Sequence, residues 1–108
     1  DLAPAIDALA ATTKWIAETF RADPVAAASG ATRYMRMLGW ITGGWQLAKS
    51  AQVADSKIDH FPDDEAFYTA KLDTARHYAS QYLAPAAAEA RPIMAAKATV
   101  MAIPEAEL

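Results

Sequence analysis

The sequence predicts an all-α fold, an antiparallel bundle of three or four helices, two of them long. Three observations lead there. Alanine, the strongest helix former, supplies about half of the 54% apolar content. Glycine and proline are sparse, and no stretch alternates apolar and polar residues as successive strands do. Large apolar residues instead recur every three or four positions along three segments.

The first helix is read over residues 4–21. Leu2, Ile6, Leu9, Thr13, Ile16 and Phe20 step by four and three, which holds them on one face. Asp23-Pro24 breaks the pattern, with Asp23 as N-cap and Pro24 at the first position of the next helix. That second helix is read over residues 24–57. Tyr34, Leu38, Ile41, Trp45 and Ala48 form its stripe, and Arg36, Gln46, Ser50 and Lys57 fall on the far side. Residues 58–62 lack helical spacing and end in a proline, which marks a loop.

The third helix is expected to start near Asp63, where Asp63, Asp64 and Glu65 put negative charge at the positive end of the helix dipole. Tyr68, Leu72, Ala75, Ala79 and Tyr82 make its stripe, and the phase continues through Ala86, Ala90 and Ile93. Pro85 lies inside this run, removes a backbone donor and clashes one turn back, so a kink or break is expected near Leu83 and Ala84. Helix then resumes to about Lys97. The apolar residues 100–104 read as an irregular strap packed on the bundle. Whether Pro85 divides the third helix decides between three helices and four.

A chain of 108 residues fits one domain with a modest core. Its net charge of −3 gives no basic footprint for nucleic acid. No apolar run is long enough for a membrane span, and no signal peptide pattern opens the chain. Cysteine is absent, so disulfides, thiolate catalysis and thiolate metal sites are excluded. That absence fits a reducing compartment, and the cytoplasm is the expected location. The chain opens on Asp1 rather than methionine, as expected of an excised C-terminal fragment or a processed product.

The motifs of chemistry are missing. Neither histidine follows a glutamate by three positions, as a carboxylate-bridged metal site in a bundle needs. Asp73 and His77 share spacing, but His77 lies opposite the stripe of its helix. The run Asp55, Lys57, Asp59, Phe61, Asp63 imitates a calcium loop but has lysine at a ligand position and no glycine at the sixth. Gly39, Gly43 and Gly44 follow no strand and have neither phosphate-loop nor dinucleotide spacing. Arg33, Arg36 and Lys49 are scattered along one helix and read as a solvated face. No catalytic, cofactor-binding or metal-binding residue is assigned.

What remains is a candidate interface. On a wheel of 100° per residue, Trp45 lies mid-stripe, whereas Trp40 groups with Leu47 about 120° away. Gly39 and Gly43 lie further round, four residues apart, and glycines at that spacing admit a neighbouring backbone. Trp15 lies among small residues off the stripe of the first helix. Trp15, Gly39, Trp40, Gly43 and Leu47 are therefore the candidate interface residues. Trp15 and Trp40 are expected to be more exposed than Trp45.

Three segments, taken together, resemble a known family. They are ATRYMRMLGWITGGWQLAKSA (31–51), FYTAKLDTARHYASQYLAPAAA (67–88) and VMAIPEAEL (100–108). Their order and spacing are similar to the extra C-terminal domain of the long acyl-CoA dehydrogenases, the subfamily of 3-methylmercaptopropionyl-CoA dehydrogenase. The resemblance implies a parent that binds FAD and is a homo-oligomer. In it, a glutamate takes the α-proton of an acyl-CoA while the β-hydride passes to flavin, giving a 2,3-enoyl-CoA. Those elements lie upstream in the family, so no cofactor is expected in this segment. Its implied partners are the upstream catalytic domains or a neighbouring subunit. The rival expectation is a stand-alone helical interaction module.

Overall fold

Small and large residues together set the architecture. In the computed structural model, which describes residues 2–108, buried alanine, threonine and glycine share the helix contacts with Met37, Ile41, Leu83 and Ile93. The order is α1 (Leu2–Ala22), α2 (Pro24–Ser29), α3 (Ala31–Lys57), α4 (Glu65–Tyr78), a π-helical segment (Ala79–Leu83), α5 (Ala84–Ala87) and α6 (Ala90–Val100). Short 3-10 turns occupy Pro62–Asp64 and Glu105–Glu107. The described residues contain helices, turns and bends without strands, so the all-α expectation holds.

The core joins four α-helices and the π-helical segment. Ala5 of α1, Met37 and Ile41 of α3, Leu83, Ala86 of α5 and Ile93 of α6 are buried in one cluster. Leu9, Ile16 and Tyr34 pack around it. Thr12 is also buried, and its hydroxyl is satisfied by donating to the Ala8 carbonyl at 2.7 Å.

The predicted breaks fall close to their expected places, with two additions. Asp23 caps α2: its Oδ1 accepts from the Ala26 amide at 3.2 Å, and its Oδ2 accepts from Lys97 Nζ at 2.6 Å. Residues 24–57 are not one helix, because Gly30 separates α2 from α3. The reason is close packing of α6. A Cβ at Gly30 would stand 2.7 Å from the carbonyl oxygen of Ile93.

The distortion near Pro85 is a π-helical segment immediately before it. Proline cannot donate to the preceding turn, and a π-bulge widens that turn to accommodate it. The wider turn advances the phase, so Tyr82 is exposed and Leu83 takes the buried position. The second addition is a turn between α5 and α6, closed by bonds from Ala88 N to Pro85 O and from Glu89 N to Ala86 O. Pro92 then lies in the first turn of α6, where proline is tolerated. The tail does not pack as a strap: Met101 and Ile103 are exposed.

The phase of the first two long helices also needs correction. Trp45, expected in the core, is 47% exposed. Gly44 is buried in its place, so close to Leu83 that a Cβ would fall 2.5 Å from Cδ2. The inward face of α3 is thus rotated about 60° from the stripe of large residues. On α1 the same shift buries Ala5 and Thr12 and leaves Ile6 and Phe20 exposed.

The resulting molecule is thin and long. Its principal extents are 64 × 28 × 14 Å, and its radius of gyration is 18.7 Å, against about 13 Å for a compact domain of this length. Its accessible area is 7394 Å², against about 5,800 Å² expected for a folded monomer of this mass. The distal half of α3 lies beside α4, with residues 46–54 facing Phe67, Tyr68 and Lys71. Beyond Gly44, α3 buries Ala54 and leaves Val53 exposed. These two helices form an arm that extends past the core.

Candidate interaction surface

The tryptophan-rich part of α3 is anchored by α4 through a hydroxyl. Tyr78 donates to the carbonyl of Trp40 at 2.7 Å. Gly43 makes this possible, since a Cβ there would meet the Tyr78 hydroxyl at 2.7 Å. Tyr82 stacks on Tyr78 with ring centres 5.0 Å apart and tilts towards Trp40 at 6.4 Å. Burial, with the neighbouring Tyr82, pushes the Tyr78 phenol above its ordinary value. Sequence spacing missed Tyr78, which lies beside the predicted stripe of its helix rather than on it.

The five residues named from the sequence therefore occupy different settings. Trp40 is half-buried against the core, and Gly43 is half-buried against Tyr78. Leu47 and Trp15 are half-buried on α3 and α1. Gly39 is exposed, and a Cβ built there meets nothing within 4 Å. It is a helix-interior glycine for which the chain's own packing has no use. The expectation that Trp15 and Trp40 are more exposed than Trp45 is overturned, because the rotation of α3 carries Trp40 inward and Trp45 outward.

A second surface, on the arm, was not legible in the sequence. Gln46, Lys49, Ser50 and Val53 of α3 with Phe67 and Lys71 of α4 line an open groove of about 360 Å³. Val53 is 51% and Phe67 58% exposed. Lys49 Nζ lies 4.4 Å from the Trp45 ring centre, and Lys71 Nζ lies 5.3 Å from that of Phe67. Among the described residues neither lysine is within ion-pair distance of a carboxylate.

Among the described residues no three His, Cys, Asp or Glu side chains gather into a metal-holding group, and no helix is long and apolar enough to cross a membrane. The surface offers exposed apolar area and, at Gly39, an open close-approach position. Fold and surface together define an all-α helical domain.

The family described as acetyl-CoA dehydrogenase C-terminal like matches residues 1–104, and the chain belongs to this family of acyl-CoA dehydrogenase C-terminal domains. No curated protein and no solved structure matches the chain.

Proposed function

We propose that the chain is the non-catalytic C-terminal domain of an FAD-dependent acyl-CoA dehydrogenase of the long, 3-methylmercaptopropionyl-CoA dehydrogenase-like subfamily. It packs on the upstream catalytic domains or on a neighbouring subunit. The parent in this reading converts an acyl-CoA to its 2,3-enoyl-CoA. The residues present do not fit FAD: the four glycines form no phosphate-cradling turn after a strand. Flavin and substrate are therefore assigned to the upstream domains.

The observation that carries the reading is the surplus of accessible area on a thin, one-sided bundle of a dehydrogenase-terminal family. Surfaces left open in this way usually mark an interface. Gly39 is the position where a partner's backbone gains most from the missing side chain.

The coding sequence upstream of Asp1 tests this cheaply. An in-frame flavin-binding dehydrogenase domain is expected there. A start codon at this point would favour a stand-alone interaction module. In a protein containing both parts, Gly39→Ala is expected to loosen the contact with the catalytic domains. If Gly39→Ala left that contact unchanged, Gly39 would have no place in the interface.

A further inference from the structure

We infer that the arm swings as one body about a hinge formed by Trp40–Gly44 of α3 and the π-helical segment before Pro85, and that the Tyr78–Trp40 hydrogen bond latches it in the orientation seen. This is a property of the chain itself and goes beyond the accessory reading. Both backbones that connect the arm to the core have weak points, and the weak points lie side by side.

The first is in α3. Three of the chain's four glycines, Gly39, Gly43 and Gly44, fall close together inside this 27-residue helix. Each costs the helix about 0.5–1 kcal/mol relative to alanine. Packing accounts for Gly43 and Gly44, through Tyr78 and Leu83, but Gly39 meets nothing within 4 Å. The Tyr78 hydroxyl donates to the Trp40 carbonyl, which in a regular α-helix accepts from the Gly44 amide. A side chain that enters the hydrogen-bond ladder is one of the causes of a helix bend.

The second is in the other connection. Ala79–Leu83 is π-helical, and Pro85 follows it without an amide donor. π-Bulges and prolines are further places where helices kink. The two weak points touch: a Cβ on Gly43 would meet the Tyr78 hydroxyl, and one on Gly44 the Leu83 side chain. A single bend at this level therefore passes through both backbones.

On either side of this level the molecule packs as a separate unit. α1 packs with α2, α3, α5 and α6, around the buried cluster of the core. α4 packs chiefly along α3, and its other neighbours are the segments that flank it in the chain. Within the arm, Ala54 is buried and Tyr68, Leu72 and Ala75 are half-buried, so the two helices move together. Ser56 lies about 18 Å beyond Gly44 along α3, and a bend of about 20° at Gly44 moves it by about 6 Å.

Double electron–electron resonance on the 108-residue chain tests this. The chain has no cysteine, so spin labels go only where cysteines are introduced. D7C/S56C reports the arm against the core, D7C/A98C the core alone and S56C/H77C the arm alone, all at exposed positions. The arm-to-core distances should spread over about 6 Å more than either control. Y78F should widen that spread further and leave both controls unchanged, with helix content retained in circular dichroism. An arm-to-core peak as narrow as the controls would overturn the inference. So would controls as broad as the arm-to-core pair, or a Y78F chain with the wild-type distribution. Absence of an upstream dehydrogenase domain would sink the accessory reading and leave these outcomes untouched.

Discussion

Tyr78 reaches across from α4 and hydrogen-bonds the backbone carbonyl of Trp40 on α3, 2.7 Å away. The contact ties the arm to the core, and Gly43 leaves the space for it. Tyr78→Phe keeps the ring and removes the bond, so chemical denaturation should show a loss of about 0.5–1.5 kcal/mol. The pH dependence follows from the raised phenol. Its contribution is fully present below the unfolded tyrosine pKa of about 10 and is lost as pH rises through the higher folded value. Tyr78→Phe should remove that part of the alkaline loss.

The glycines of α3 should respond to alanine with opposite signs. Gly39→Ala meets open space and should stabilise the isolated chain by about 0.5–1 kcal/mol through helix propensity. Gly44→Ala drives a methyl into Leu83, a buried side chain with little room to move. It should destabilise by about 1–3 kcal/mol, less the propensity gain. Thermal denaturation of both variants separates the two outcomes.

Trp45→Ala should cost little. The ring is half exposed and its defined partner is Lys49, so the loss should stay below about 1 kcal/mol. Ile93→Ala removes a fully buried side chain of the core and should cost about 2–5 kcal/mol. If the tryptophan variant proved the worse of the two in urea denaturation, the placement of α3 would be wrong.

Acid should loosen the α1–α2 junction. The Lys97 ammonium, helped by the Ala26 amide, holds the Asp23 carboxyl below the usual 3.8. A depressed carboxyl stabilises the fold above its unfolded pKa and loses that contribution as pH falls through the folded value. The loss therefore begins near pH 4 and continues below it. Asp23→Asn should flatten this part of the acid limb in a stability profile against pH. It should also weaken the link to α6.

Helix content and most breaks were legible because they depend on local chemistry. Asp23-Pro24, Pro62 and Pro85 each act through their own backbone, and each marks a helix end or distortion. Helix phase was legible along the third segment, where Tyr68, Leu72, Ala75 and Ala79 are half-buried and Ala86 and Ile93 buried, but not along the first two, for a physical reason. A hydrophobic stripe weights large side chains, whereas α1 and α3 also turn Ala5, Thr12 and Gly44 inwards, where helices approach closely. Large residues such as Phe20 and Trp45 are then displaced outwards. The arm groove escaped notice because its two walls come from Lys49 and Lys71, on different helices, and only the α3–α4 pairing brings them together. The family resemblance did not depend on phase, since it rested on the order and spacing of three segments.

The accessory role is tested most directly by purifying the 108-residue chain alone and joined to whatever dehydrogenase domains precede it. Both are incubated with FAD and assayed for bound flavin and for acyl-CoA oxidation with an artificial electron acceptor. Flavin retention and turnover are expected only in the joined protein. Stoichiometric FAD and acyl-CoA turnover by the isolated chain would contradict the account.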